Sequence, residues 1–375
     1  MKVLHINCNY IYSALHGRLT ERLESPEVHN LVFVPVTAAN AANATVAAPG
    51  ENVTVSECFR KIDRYFFDRK QSKICRAARR SLDLTGVDCI HAHTVFTDGN
   101  CARTLARELG VPYIVAVRNT DVNAFFKKRA LLRGRGIAIL RGAERIIFLS
   151  ESYRNTVFAQ YVPVRFREEL LAKSVVIPNG IDDFWLANRN WMGQQLPAQG
   201  PVRLIYAGRI DRNKNIPLIQ QAMDLLRREG LATELTVVGR IQDRAEFERI
   251  RQDRYTTYHE PVDKEQLIHI YRENHIFVMP SHTETFGLVY AEAMSQGLPV
   301  IYTRGQGFDG QFADGTVGYA TSDRDAAQLA GCIRQVLADY KELSENARQR
   351  VDKFDWGKIA EQYRQIYCSI TDDGK

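Results

Sequence analysis

At 375 residues the chain is too long for one ordinary domain and suits two, since domains cluster at roughly 100–200 residues. Its 45% hydrophobic and 25% charged residues are ordinary for a soluble globular protein, and no segment is polar enough for long enough to suggest disorder. The net charge of +6 is unevenly spread: residues 1–185 hold 26 Lys and Arg against 18 Asp and Glu, whereas the remainder holds 24 against 26, so the first half is the basic one.

The chain opens on Met1-Lys2-Val3-Leu4-His5-Ile6-Asn7, a strand-length apolar run that meets Cys8 and Asn9 before it could act as a signal-peptide core. No later run approaches the roughly 20 apolar residues of a membrane-spanning helix. A cytoplasmic protein is expected, not integral to a membrane. Strand-like runs at 2–7, 30–36, 89–93, 113–117, 145–149 and 174–177 alternate with helix-like segments, the pattern of βαβ units in a parallel sheet. Seven cysteines form no Cys-x-x-Cys pair, and no His/Cys cluster has zinc-ligand spacing, so reduced thiols and no metal are expected.

Between the fourth and fifth strands lies a basic stretch, Lys127-Lys128-Arg129 followed by Arg133, Arg135 and Arg141, interleaved with Leu131, Leu132, Ile137, Ile139 and Leu140. Two readings stand side by side. The stretch is a contact for an anionic membrane surface or a phosphorylated acceptor, which would put the protein at the inner face of the membrane, or it is a solvated helix that packs its apolar side inward. No recognised nucleic-acid motif accompanies it, and no nucleic-acid partner is expected.

The strand–helix pattern then repeats, with runs at 202–207, 234–238, 256–259, 275–279, 299–303 and 318–320. The expected organisation is an α/β fold of two Rossmann-like doubly wound domains: residues 1–185, a linker at 186–200 marked by Asn188, Asn190, Gly193, Pro197 and Gly200, and residues 201–353. Residues 354–375 carry Trp356, Ile359, Ala360, Tyr363, Ile366 and Tyr367 at helical spacing and close the chain as an amphipathic helix and tail. Two such domains facing across a cleft would bind a ligand between the carboxyl ends of their strands.

The strongest motif is Pro280-Ser281-His282-Thr283-Glu284-Thr285-Phe286-Gly287-Leu288-Val289-Tyr290-Ala291-Glu292-Ala293-Met294, running on to Gly297-Leu298-Pro299-Val300. A helix starting near Phe286 would leave Glu284 in the loop before it and Glu292 about two turns in. The free amides of Phe286, Gly287, Leu288 and Val289 would then face a ligand, and a helix start of this kind attracts phosphate. Upstream, Gly208-Arg209 through Lys214-Asn215 places two cations at the carboxyl end of a strand, where they could neutralise a departing diphosphate.

Taken together, E-x-F-G-L-x-x-x-E-A-M-x-x-G-x-P-V and G-R-x-x-x-x-K-N resemble the signature of glycosyltransferase family 4, retaining enzymes with a GT-B fold. The resemblance implies an acceptor-binding first domain, a nucleotide-sugar-binding second domain, and a terminal helix crossing back to the first. It places Glu284 by the donor sugar, Glu292 on the nucleotide ribose, and Arg209 and Lys214 on the departing phosphate. His91-Ala92-His93 resembles the family's H-x-H, whose second member, here His93, approaches donor sugar and acceptor. Val237-Val238-Gly239-Arg240 resembles a turn beside base and phosphates, and Glu260-Pro261-Val262 a base-contact loop. Val175 to Asp182 resembles the structural turn V-I-P-N-G-V-D.

Two departures stand out. The family's paired glycines after the first strand are reduced to Gly17, and H-G-x-D after the fourth gives way to Arg118-Asn119-Thr120-Asp121. Gly17 remains a candidate for donor contact. Arg118, Asn119 and Asp121 are acceptor-side candidates, Arg118 reporting either an anionic acceptor or a local interaction.

The expected reaction moves a hexose or N-acetylhexosamine from a UDP- or GDP-sugar to a hydroxyl of a glycan or lipid-linked acceptor, in surface polysaccharide or glycolipid synthesis. No cofactor is expected. No Asp-x-Asp pair is picked out at a strand end to hold a divalent ion, and the Arg/Lys pair can substitute for one, so metal independence is expected. The rivals are a sugar-nucleotide epimerase of similar fold and a non-catalytic nucleotide-sugar-binding subunit.

Overall fold

The computed structural model describes residues 1–42 and 50–372. The chain divides into two compact units, one formed by residues 1–149, 153–179 and 356–375, the other by 150–152 and 180–355. The passage from the first to the second at 179–180 lies upstream of the stretch 186–200, which holds to the second unit: Asn190 donates to Gln296 O at 3.2 Å and Arg348 to Trp191 O at 2.6 Å.

In the first unit seven strands pair in parallel: β1 (Lys2–Ile6), β2 (His29–Val36), β3 (Val53–Glu57), β4 (Cys89–Ala92), β5 (Tyr113–Val117), β6 (Arg145–Phe148) and β7 (Ser174–Val176). Their order, β3-β2-β1-β4-β5-β6-β7, reverses direction between β1 and β4. Strands such as Tyr-Ile-Val-Ala-Val and Arg-Ile-Ile-Phe read as continuous apolar runs because a parallel sheet is covered by helices on both faces. The register sets Ile6 opposite both Phe33 and Ala92, so Asn7 and His93 emerge together at the carboxyl end of the β1/β4 switch point.

The helix Trp356–Asp372 belongs to this unit. Trp356, Ile359, Ala360, Tyr363, Tyr367 and Ile370 form its buried stripe, packed with Val3, Leu19, Leu23, Cys89, Ile114 and Ile147. The stripe from Trp356 to Ile370 thus completes the core around β1.

The second unit carries six parallel strands: β8 (Val202–Ala207), β9 (Thr233–Val238), β10 (Thr256–His259), β11 (Ile276–Met279), β12 (Val300–Thr303) and β13 (Gly318–Thr321). The order β10-β9-β8-β11-β12-β13 places its reversal between β8 and β11. The two segments singled out by sequence follow those two strands, and the doubly wound topology brings them together. No helix among the described residues is long and apolar enough to cross a membrane.

Candidate active site

The loops after β8 and β11 meet in an ion pair. Lys214 Nζ lies 2.5 Å from Glu284 Oε2, and each side chain is only 12% exposed. The scaffold beneath is a set of amide contacts. Asn213 Nδ2 donates to Thr283 O (2.8 Å) while its Oδ1 accepts from Thr283 N (3.0 Å), and Asn213 O accepts from His282 N (2.8 Å). Asn215 holds a left-handed conformation, φ 56°, and donates to Pro280 O (3.2 Å) and Asp323 O (2.8 Å). Gln306 Oε1 accepts from Glu284 N at 3.0 Å, and Gly307 N donates to Glu284 O at 3.2 Å. Asn213, Gln306 and Gly307 were not candidates from sequence; their partners lie on loops from other strands.

Beside the pair, two backbones come unusually close. A Cβ on Gly239 would sit 1.8 Å from Gly208 O, and both glycines hold positive φ, 148° and 151°. Gly239 N also donates to His259 O at 3.1 Å, so the turns after β8, β9 and β10 form one glycine-lined edge bearing the exposed side chains of Arg209 and Arg240. Pro261, exposed, and Val262, half-buried, follow β10 on the same edge.

The helix expected from Phe286 begins later, at Leu288, with Gly287 as its N-cap at φ 76°. The reason is local: Phe286 turns into the core, 2% exposed and edge-on to Phe354 with ring centroids 5.6 Å apart, and Gly287 redirects the chain. Tyr290 N donates to Gly287 O (3.0 Å), which leaves the amides of Leu288 and Val289 before the first intrahelical bond. The Phe286 side chain therefore packs into the core, and the helix opens behind Gly287 with Leu288 and Val289. Glu292 sits about one turn into the helix rather than two. Burial pushes its carboxyl up to about 7; Lys264 pulls against that shift and Asp182 adds to it.

One Asp-x-Asp pair does follow a strand, Asp323-Arg324-Asp325 after β13, contrary to the expectation from sequence. Asp323 accepts from His282 Nδ1 at 2.8 Å, and Asp325 caps the helix Ala326–Ala338 through Ala327 N and Gln328 N.

In the first unit, the switch point between β1 and β4 is lined by histidines. His5 Nδ1 lies 3.0 Å from His93 Nε2, His5 Nε2 lies 2.8 Å from Asn30 Oδ1, and His91 Nδ1 lies 2.8 Å from Tyr367 Oη. His91 and His93 stack with centroids 4.1 Å apart. One nitrogen from each of His5, His91 and His93 falls within 4.8 Å of the others, a grouping that sequence spacing does not reveal. Burial holds His5 near 4, His16 near 3, and His91 and His93 well below the ordinary imidazole value, so all four are neutral at pH 7. His93 is fully buried; among the described residues its Nδ1 has no hydrogen-bond partner, nor do Asn7 Nδ2 and His16 Nδ1.

The remaining first-unit candidates are tied into the fold. Arg118, 8% exposed, donates to His93 O (3.3 Å) and Asn179 Oδ1 (3.1 Å), which joins the end of β5 to the turn after β7. Asp121 accepts from Phe96 N (3.1 Å) and Arg118 N (2.9 Å), and burial raises it to about 6. Asn119 Oδ1 accepts from Asn123 at 2.9 Å. Gly17 lies inside the helix Ala14–Leu23, capped by Ser13, rather than in a loop open to a phosphate.

Two parallel doubly wound sheets with this connectivity are the GT-B glycosyltransferase fold. The structure is similar to that of sucrose-phosphate synthase from Thermosynechococcus elongatus, with a TM-score of 0.71, 21% identity and 98% of each chain covered. It is also similar to Anabaena HepE solved in complex with UDP, with a TM-score of 0.70, 15% identity, 98% of this chain and 100% of that one covered. Residues 19–183 match the model described as Glycosyltransferase Family 4, and residues 188–353 match Glycosyl transferases group 1. The chain belongs to the group 1, family 4 glycosyltransferases. Among curated relatives, it is 29% identical to the glycogen synthase of Mycobacterium tuberculosis over 297 residues, 75% of this chain and 69% of that protein. It is 26% identical to the D-inositol 3-phosphate glycosyltransferase of an Arthrobacter species over 303 residues, 76% of this chain and 71% of the relative.

Proposed function

We propose that the chain transfers a hexose or N-acetylhexosamine from a UDP- or GDP-sugar to an acceptor hydroxyl with retention of configuration, in the assembly of a surface polysaccharide or glycolipid. The observation that carries this reading is the Lys214–Glu284 pair held at the β8/β11 switch point, 2.5 Å apart, beside the Gly208–Gly239 approach. Neither glycine turn leaves room for a side chain, so a diphosphate can lie against backbone there, with Arg209, Lys214 and the Leu288 and Val289 amides supplying positive potential. Glu284 meets the sugar and Glu292 the ribose. The acceptor oxygen attacks the anomeric carbon from the phosphate side as the sugar–phosphate bond breaks, and its proton passes to the departing phosphate oxygen. Retention follows because entry and departure share one face.

Positive charge from Arg209 and Lys214 supports a reaction that needs no divalent ion. The titration state of the buried histidines suits positioning rather than proton abstraction. Similarity to an Anabaena protein solved with UDP supports a uridine diphosphate donor. Thermal unfolding against a panel of UDP- and GDP-sugars tests the reading, since a ligand at about 100 times its Kd stabilises by about 2.7 kcal/mol. A rise with one donor, lost in Lys214→Ala, is expected. A panel in which no nucleotide sugar raises the midpoint sinks it.

A further inference from the structure

The basic stretch at 127–141 is resolved by the structure into two parts with different surroundings. In the helix Arg133–Gly142, Ile137, Ile139 and Leu140 are in the core at 6%, 1% and 0% exposure, so this helix has no apolar face left to offer. The turn ahead of it, Ala130–Leu132, points Leu131 fully outward at 99% exposure, and its neighbours Lys127, Lys128 and Arg129 are exposed as well.

A second segment approaches this turn from far away in sequence. Arg129 Nη1 donates to Arg64 O at 3.5 Å, which brings the short helix Lys61–Tyr65 alongside. That segment exposes Ile62 (52%), Tyr65 (64%) and Phe66 (53%) together with Lys61, Arg64 and Arg69. Four large apolar side chains therefore stand in solvent within two adjoining turns, interleaved with six exposed cations. The acidic residues close by are neutralised: Asp63 is buried against Lys73 (2.7 Å) and Arg69 (3.1 Å), and Asp68 pairs with Arg135 (2.7 Å). No Asp or Glu occurs between Asp121 and Glu144.

We propose that this patch is a docking surface for an anionic lipid bilayer, with Ile62, Tyr65, Phe66 and Leu131 inserting at the headgroup level and Lys61, Arg64, Lys127, Lys128 and Arg129 meeting lipid phosphates. An aqueous protein partner would cover apolar groups set among both signs of charge or in a groove. Here the apolar groups stand on two adjoining turns among cations, and the acidic residues close by are taken up in ion pairs, which is the chemistry of interfacial insertion backed by electrostatic attraction. The surface acts whether or not the transfer reaction proposed above is right, because vesicle binding needs no donor.

The test is flotation of the full chain with vesicles of phosphatidylcholine alone and of phosphatidylcholine with phosphatidylglycerol, at low and high salt. Binding to the anionic vesicles alone, weakened by salt, is expected. Leu131→Asp and the double variant Lys127→Glu/Lys128→Glu should each lower bound protein by about tenfold or more, with circular dichroism unchanged since all three side chains are exposed. Lys358→Glu, on the terminal helix outside the patch, should bind as the parent does. No binding, binding equal on neutral vesicles, or loss in all variants alike overturns the proposal. So does a dimer in sedimentation velocity that Leu131→Asp dissolves, since the patch would then be covered by a second copy.

Discussion

Lys214 and Glu284 are 70 positions apart, on loops from two different strands, and their charged groups meet at 2.5 Å with 12% exposure each. In the proposed reaction this pair would keep the carboxylate beside the incoming sugar and hold the ammonium, 12% exposed, ready for a phosphate to replace or share its partner. Lys214→Ala should lower kcat by about 10²–10³, the scale of losing one charge-stabilising donor at a reacting centre. Glu284→Gln keeps the volume and loses the charge, and should reduce kcat while leaving circular dichroism unchanged. Steady-state rates with the donor picked out by thermal shift check both; a Lys214→Ala enzyme with parental kcat would remove the pair from the chemistry.

The glycine edge makes a sharper steric prediction. Gly239→Ala puts a Cβ 1.8 Å from the Gly208 carbonyl oxygen, at a φ of 148° that L-residues avoid. Backbone cannot retreat cheaply on either side, so the variant should lose about 2–4 kcal/mol and its donor-induced thermal shift. Gly307→Ala meets Thr285 O at 1.9 Å and should displace the Glu284 loop in the same way. By contrast Gly230→Ala, at φ 91° with nothing within 4 Å, should cost stability alone and leave the donor shift intact. Urea titration beside thermal shift separates the two outcomes.

The parallel strands were legible where burial on both faces makes the run continuous, as in Ile276–Met279 or Tyr113–Val117. β3 was not, because Val53-Thr54-Val55-Ser56-Glu57 is a half-exposed edge strand with only two apolar side chains. Glu284 and Lys214 could be read from their own segments, since the residue types and spacings are local. Asn213 and Gln306 could not: an amide becomes a clamp only through the partner that folding brings to it. The same holds for His5, whose neighbours His91 and His93 come from the adjacent strand. For Phe286 the motif indicated nearness to the helix start but not the direction of the side chain, which turns to the core where Gly287 bends the chain.

The terminal helix should be indispensable to the first unit. Trp356, 2% exposed, Tyr363 and Tyr367 pack with side chains from β1, β4, β5 and β6, and Tyr367 Oη lies 2.8 Å from His91 Nδ1. Trp356→Ala should destabilise by about 3–5 kcal/mol, the range for truncating a large buried aromatic. Tyr367→Phe, which keeps the ring but leaves the buried His91 Nδ1 without its partner, should cost less, about 1–3 kcal/mol. If denaturant unfolding placed the two variants together, the ring packing would not be what holds this helix.

Glu292 supplies the pH dependence. Its carboxyl is pushed from the ordinary 4.5 up to about 7, chiefly by burial. Lys264, which would lower it, is committed to an ion pair with Asp182. Between pH 4.5 and 7 the unfolded chain has released this proton and the folded chain retains it, so the folded state binds more protons and stability falls as pH rises through that window. Glu292→Gln removes the effect. The variant should gain on the parent progressively across the window, by at most about 3 kcal/mol, and the difference should be flat above and below it. If Glu292 meets the ribose as proposed, ligand binding should run the other way, because the ionised carboxylate accepts hydrogen bonds from ribose hydroxyls better than the neutral acid does; donor affinity of the parent should then rise as pH passes 7, and that of Glu292→Gln should not. Unfolding curves and donor titrations across the same pH series decide both, and parallel curves for parent and variant would place this carboxylate outside the site.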